Sequence, residues 1–340
     1  MVDVESLVPS APLTAFMDAE LGDPGTGPVQ VTKIGQGRSN LTFRVERGGM
    51  AWVLRRPPMG ELPETAHDMM REFRVLSALH GTKVRVPRPA AACPDPAVIG
   101  VPFYLMEEVA GVVIRESEPD SYTEQDRHRV GLETIDALAE LHTADFAAAG
   151  LGDLGKADGY TARQVERWSK QWGFMKTREL ADIEAVRAWL EEHCPAAYPH
   201  AIVHGDYKLD NVVFSAGPPA RLLAILDWEM ATLGDPLADV GYLMNFWPEP
   251  GDPTIYGLPQ PTQKPGFPTK AELLARYEER TGYAMTDLAF YRTLALWKLA
   301  ILLEGLYKRF KAGKADSDWF AVLEQVVPTM ATQAREWTGA

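Results

Sequence analysis

The sequence predicts an α+β protein of two lobes: a small amino-terminal lobe with an antiparallel sheet and a helix, and a larger, mainly helical carboxy-terminal lobe. Three observations carry that expectation. The chain has 340 residues, more than one hydrophobic core comfortably serves. Residues 29–56 read as consecutive strands separated by glycine turns, and from about residue 123 onward apolar side chains recur at helical spacing. The boundary between the lobes falls near residue 110, giving units 1–110 and 111–340.

Each element has a local reason. VQVTKI opens the sheet, the turn GQG follows, and NLTFRVE is the second strand. Gly48-Gly49 makes a hairpin into MAWVLRR, which Pro57 and Pro58 end because proline cannot donate to a ladder. A helix is expected from about Glu64 to His80, where Met69, Phe73, Leu76 and His80 share one face. The segment VPRPAAACPDP reads as a breaker-rich connection, and VPFYLMEEV as a strand that ends at Gly111. In the larger lobe Leu132, Ile135, Leu138 and His142 form a helical stripe, with His142 a hydrogen-bonded core histidine. A second helical region covers about 161–193, and short strands are expected at HAIVHGD and RLLAILDW. Helices resume near Leu237, at 270–281, 286–311 and 317–337, where Pro328 interrupts the last. Residues 248–268, rich in proline and glycine, are a loop expected to shape a binding pocket together with the helices that follow.

Composition excludes several classes. With 34 basic and 47 acidic residues the formal charge is −13, which argues against nucleic acid as a partner. Cys93 and Cys194 are the only cysteines, too few for a disulfide framework or a zinc site. The first ten residues are acidic and lack the basic and apolar regions of a signal peptide, so a cytoplasmic location is expected. The most apolar stretch, 294–307, carries Lys298 and Glu304 and is too short and too charged to insert in a membrane.

The chemistry concentrates in His204-Gly205-Asp206-Tyr207-Lys208-Leu209-Asp210-Asn211 and in Asp227, which ends the apolar run 222–226. An Asp just beyond a buried strand can accept a hydroxyl proton. An Asn five residues on can hold a divalent ion from the same side, and a second Asp at a strand end can share that ion. Phosphoryl transfer needs these parts and little covalent chemistry from the protein.

HGDYKLDN resembles the catalytic loop of protein kinases with Gly in place of Arg, in the form found in aminoglycoside phosphotransferases and choline kinases. ILDWEMATLGDPLADVG resembles that family's second metal motif, with Asp-Trp in place of Asp-Phe-Gly. The wording VLRRPP and DWEMATLGDPLADVGYL is similar to the kinase-like domains fused to some acyl-CoA dehydrogenases. The resemblance covers about 29–310 and implies a two-lobed protein-kinase-like fold that uses ATP and Mg²⁺ to phosphorylate a small-molecule hydroxyl. It implies Asp206 as catalytic base, Asn211 and Asp227 as metal ligands, and His204 as a brace for the loop. Lys208 is a γ-phosphate contact or a surface lysine. Asp210 and Glu229 read as local hydrogen-bond or surface groups, and Asp235 and Asp239 as loop anchors or helix caps.

In the small lobe the resemblance assigns the phosphate-covering loop to Gly35, Gly37, Ser39 and Asn40, a G-x-G without a third glycine. Arg55 stands where these kinases carry a lysine; it is always charged and forks bidentately, so the exchange is not neutral. Alternation sends Arg56 to the other face of the sheet. Glu72 is the acidic partner of Arg55 or a solvent-facing residue between Arg71 and Arg74. Backbone groups from Glu107 to Val109 are expected to meet the adenine. Two other readings stay open: a non-catalytic nucleotide-binding protein on the same fold, motivated by Arg55 and the missing glycine, and a metal-dependent hydrolase built on His204 and Asp206. The acidic balance suits a polycation such as an aminoglycoside, or choline, whereas the resemblance implies a hydroxylated acyl-thioester or another metabolite hydroxyl as acceptor; basic residues on the acceptor side would favour the latter.

Overall fold

Five strands, β1 (Gln30–Ile34), β2 (Leu41–Arg47), β3 (Met50–Arg56), β4 (Pro89–Cys93) and β5 (Phe103–Glu107), form an antiparallel sheet in the order β1-β2-β3-β5-β4. The computed structural model describes residues 3–34, 40–58, 68–195, 199–252, 260–314 and 317–339. Gly48 and Gly49 join β2 to β3 with φ of 57° and 82°, the conformation a tight hairpin demands and only glycine adopts freely. Pairing Arg47 with Met50 then fixes the register through Thr42 opposite Arg55.

The pleat of β3 feeds two cores. Trp52 and Leu54 join Phe43, Val45, Phe103 and Leu105 on a face covered by α1 (Val4–Leu7) and α2 (Ser10–Glu20) through Leu7, Leu13 and Met17. Val53 lies on the opposite face with Tyr104 and Met106, against Met69, Val75, Leu76 and Leu79 of α3 (Met69–Leu79), and that core runs on into the larger lobe. The composition of α2 does not announce its role. Covering Leu13 and Met17 fully is worth about 1.5–3 kcal/mol each, and the helix exists because the sheet has an apolar face to cover. The start of α3 expected at Glu64 lies outside the described residues, and so do Gly35, Gly37 and Ser39. The connection expected over 86–96 is corrected: it contains β4, an edge strand begun by Pro89, where a missing N–H is harmless.

The larger lobe holds α4 (Glu124–His142), α5 (Tyr160–Met175), α6 (Ala181–Glu192), α7 (Leu237–Asn245), α8 (Lys270–Thr281), α9 (Leu288–Lys311) and α10 (Leu323–Glu336). Thr123 and Asp126 close a capping box at the start of α4, and a 3₁₀ turn precedes α10, which contains Pro328. Two short ribbons, β6 (Ala201–Val203) with β9 (Thr232–Gly234) and β7 (Val212–Phe214) with β8 (Leu222–Ile225), carry the loops between the lobes. Val112 and Phe214 exchange backbone hydrogen bonds of 2.8 Å, and the Ile225 N–H donates to the Arg85 carbonyl at 2.8 Å. Among the described residues no helix is long and apolar enough to cross a membrane. The architecture is the two-lobed, protein-kinase-like α+β fold that the motifs implied.

Candidate active site

The loop after β6 is fixed from beneath. The backbone N–H groups of His204 and Gly205 donate to Oδ2 and Oδ1 of Asp239 at 2.6 and 2.8 Å. Asp239 sits in the first turn of α7 and contacts His142 Nε2 at 3.2 Å, while His142 Nδ1 lies 2.5 Å from the Tyr277 hydroxyl. Burial pushes the Asp239 carboxyl up, but hydrogen bonding to His142, the charge of His142 and His204, and the Gly205 N–H outweigh it, leaving the group below its ordinary pKa. Asp239 is thus a loop anchor, and His142 the core histidine expected.

Gly205 has φ of +87°, and a Cβ there would stand 2.9 Å from Cβ of Met230 and 3.1 Å from its carbonyl. That close approach requires glycine where protein kinases have arginine. His204 Nε2 lies 2.8 Å from the Leu226 carbonyl and Nδ1 accepts from the Asp206 N–H at 3.3 Å, so one ring touches both loops. The Leu226 N–H donates to the Asn211 carbonyl at 2.8 Å, so the turns bearing Asn211 and Asp227 are tied directly. Asp227 itself has φ of +65°, the left-handed region, and it is the one non-glycine residue there among the described residues.

Three donors converge on Asp206. Lys208 Nζ reaches Oδ1 at 3.0 Å, the Tyr242 hydroxyl donates to the same oxygen, and Asn211 Nδ2 donates to Oδ2 at 2.7 Å. The Lys208 ammonium also lies 5.1 Å from the centre of the Phe246 ring. Tyr242 was not singled out in the sequence, because a tyrosine at helical spacing on an apolar stretch reads as core.

Arg55 crosses from the small lobe to the large one. Its NH2 group donates to Asp227 Oδ1 at 2.8 Å, and its Nε lies 3.2 Å from Glu72 Oε2, a charge contact not aligned as a hydrogen bond. Burial opposes the Arg55 charge, yet Tyr104, Glu72, Asp227 and Glu229 together hold its pKa above the ordinary value. Glu72 is 1% exposed, and burial pushes its carboxyl up while Arg55 pulls it back in part. Asn40 Nδ2 donates to Glu72 Oε1 at 2.7 Å and to Glu229 Oε2 at 3.0 Å, and the Tyr104 hydroxyl donates to Glu72 Oε2 at 3.0 Å. Arg56, on the other face, donates to the Leu7 carbonyl, as alternation requires.

Two cavities meet at this constellation. One, of about 770 Å³, lies between the lobes and takes in Asn40, Arg55, Glu107, Val109, Asn211 and Asp227. The Glu107 N–H is already given to the Arg88 carbonyl at 2.8 Å. The second, of about 730 Å³, lies in the larger lobe against α5, α7 and α9. Asp206, Lys208 and Glu229 line both, so Glu229 is more than the local or surface group expected. Of the elements expected to shape a pocket, α9 borders the second cavity together with residues 317 and 319, whereas the described part of the loop 248–268 does not: its Pro248, Gln260, Pro261 and Thr262 line a separate cavity of about 240 Å³ with Lys208 and Asp210.

Among the described residues no group of three or more His, Cys, Asp or Glu side chains is arranged to cage a metal. Asn211 and Asp227 nevertheless offer oxygen atoms, and the Asn211 nitrogen is committed to Asp206, leaving its oxygen for an ion. A pair of hard oxygen donors fits Mg²⁺, which takes its remaining positions from water and phosphate.

The model of the family described as "Phosphotransferase enzyme family" matches residues 30–294. The chain is 34% identical over 313 residues to mouse acyl-CoA dehydrogenase family member 10, covering 91% of this chain and 29% of that protein. It is 34% identical over 331 residues to rat acyl-CoA dehydrogenase family member 11, covering 94% of this chain and 42% of that one. The chain therefore spans less than half the length of these relatives. Among solved structures, a Ralstonia eutropha protein provisionally described as an aminoglycoside phosphotransferase superposes with a TM-score of 0.83 at 35% identity, covering 99% of this chain and 98% of its own. Choline kinase from Cryptosporidium parvum superposes with a TM-score of 0.64 at 13% identity over 95% of this chain and 94% of its own, a likeness of fold. With the two-lobed fold, the loop bearing Asp206 and a family match across most of its length, this chain belongs to the phosphotransferase enzyme family.

Proposed function

We propose that the chain transfers the γ-phosphoryl group of ATP, with Mg²⁺, to a hydroxyl of a small molecule. Residues 1–110 serve as the nucleotide-binding lobe and 111–340 as the catalytic and substrate lobe. One observation carries the reading: Asp206 stands at the junction of two cavities, one open to the lobe interface and one lined by the helices of the larger lobe. A group there can meet a triphosphate from one side and an acceptor from the other.

The roles follow from the contacts. Asp206, held by Asn211 and Tyr242, orients the acceptor hydroxyl and takes its proton as the new O–P bond forms. Lys208, already on Asp206 Oδ1, places positive charge beside the transferred group. Arg55 and Asn40 clamp phosphates, with Glu72 holding both. Asn211 and Asp227 would hold Mg²⁺, which when bound neutralises charge on the phosphate oxygens. Gly35, Gly37 and Ser39 remain assigned to the phosphate loop, and Glu107 and Val109 to the adenine edge, from the motif reading.

The acceptor cavity favours a hydroxylated acyl compound over a polycation. Leu299, Leu302, Leu303, Leu306 and Trp168 form its wall, and Lys208 and Lys298 are its cations. Its carboxylates among the described residues are Asp206 and Glu229, both already bonded to donors. The names of the mouse and rat relatives, which refer to acyl-CoA chemistry, support the same acceptor.

An assay of ADP release with ATP and Mg²⁺ against kanamycin, choline, a hydroxylated fatty acid and its thioester tests the reading. Turnover is expected with the acyl compounds; turnover with kanamycin or choline alone would overturn the acceptor assignment. Tight nucleotide binding with no turnover on any hydroxyl would favour the non-catalytic alternative. Tyr242→Phe, which removes one hydrogen bond to Asp206, is expected to lower kcat about fivefold with nucleotide affinity unchanged. An unaltered kcat would remove Tyr242 from the machinery.

A further inference from the structure

The face of α9 that borders the acceptor cavity is built from Ala295, Lys298, Leu299, Leu302, Leu303 and Leu306, the three-and-four spacing of one helical stripe. All are apolar except Lys298. The other charge on this stretch, Glu304, is fully engaged, accepting from the Thr177 N–H at 3.1 Å and from Arg178 at 2.9 Å. Lys298 has no such explanation. Among the described residues no carboxylate pairs with it and no hydrogen bond engages it, and its ammonium lies 5.7 Å from the centre of the Trp168 ring. A cation set into an apolar wall without a counter-ion is costly unless a ligand supplies one.

We infer that Lys298 is the acceptor-selecting group: its ammonium takes the carboxylate or acyl carbonyl of a chain whose hydroxyl reaches Asp206, while the leucines of α9 take the hydrocarbon. This rests on the phosphotransferase reading and names the feature of the acceptor that the site reads. Leu302 and Trp319, exposed at 40% and 44%, continue the apolar surface for a longer chain.

Enclosure lowers the Lys298 pKa to about 8, with Asp239 and Asp206 acting against the shift and Arg167 with it. Lys208, Glu229 and Tyr242 are the other ionisable groups of the cavity, and Tyr160 and Tyr291 border Lys298 from the side. A bound anion favours the charged ammonium. Affinity for it is therefore complete below that pKa and falls as pH rises through it.

The test compares a hydroxydecanoate, its pantetheine thioester, the matching diol and the matching amino alcohol as acceptors for the full chain with ATP and Mg²⁺. The acid is expected to exceed the diol by about tenfold or more in kcat/KM, the scale of a lost hydrogen bond to a charged group. K298M should bring the acid down to the level of the diol without changing nucleotide affinity. K298E should turn the preference toward the amino alcohol, and K298R should keep the preference for the acid above pH 8, where the wild type loses it. A preference held by the free acid alone identifies a carboxylate as the group read, and one shared with the thioester identifies the acyl carbonyl.

Equal rates for acid and diol in the wild type, or an equal fall for both in K298M, would overturn the role of Lys298 and leave the phosphotransferase reading standing. If no acceptor is phosphorylated, calorimetry with decanoate decides separately. Binding lost in K298M upholds Lys298 while the transfer reading fails, and no binding by the wild type overturns Lys298 as well.

Discussion

Asp206→Ala is expected to lower turnover by at least ~10²-fold, the lower end for a lost general base, while ATP affinity changes little. The site is suited to this measurement. Asp206 is 26% exposed, so removing its carboxylate leaves Lys208 and Tyr242 facing a solvated cleft and does not strand them in the core. The loop keeps its shape without that side chain, because its backbone is held by Asp239 and by the His204 ring. Alanine is a cleaner probe than asparagine. The aspartate accepts on both oxygens, and an amide would turn an NH₂ group against Asn211 or against Lys208 and Tyr242. The check is kcat with the best acceptor alongside ATP affinity by calorimetry. Transfer at the wild-type rate would dismiss Asp206 as the base, and a loss confined to ATP binding would move its role to the nucleotide.

The parts of the molecule that could be read in advance are those whose cause is local. The hairpin at Gly48 and Gly49 follows from two residues that accept positive φ. The helical character of α3 follows from spacing, but its buried face is Met69, Glu72, Val75, Leu76 and Leu79, with Phe73 only half-buried and His80 exposed past the helix end, because the sheet and the larger lobe decide which side is covered. The motif loops were legible because chemistry restricts residue type there. What escaped depends on contacts between distant segments. The helix α2 is justified by the sheet face it covers, and β4, with its alanines and Pro89, is a strand only because β5 offers an edge. Tyr242 and Lys298 escaped for a similar reason. One is a helix tyrosine and the other a helix lysine, and neither acquires meaning until the loop bearing Asp206 is placed beside α7 and α9. Glu229 likewise looked local, and the fold carried it to the seam between two cavities.

Asp227 combines charge and backbone strain, and separate substitutions should pull these apart. Asp227→Asn keeps a side chain that tolerates φ of +65° but removes the negative charge; Asp227→Ala removes both. Each is expected to abolish the part of ATP affinity that depends on Mg²⁺, so that titrations with Mg²⁺ and with a chelator give the same constant. Only the alanine variant should also lose stability, by about 1–2 kcal/mol, the cost of holding a residue with a plain Cβ in the left-handed region. Losing the Arg55 contact adds little in either case, because Glu72 stays 3.2 Å from the guanidinium and Arg55 is not left buried without a counter-charge. Calorimetry with and without Mg²⁺ and a denaturant series on the three proteins make the comparison. Retained Mg²⁺ dependence in Asp227→Asn would take the metal from this residue, and equal stability of the two variants would show that the turn bears no strain. If both effects separate as expected, the carboxylate serves the ion while the unusual backbone serves to aim it, with the Leu226 N–H bond to Asn211 setting the distance between the two oxygen donors.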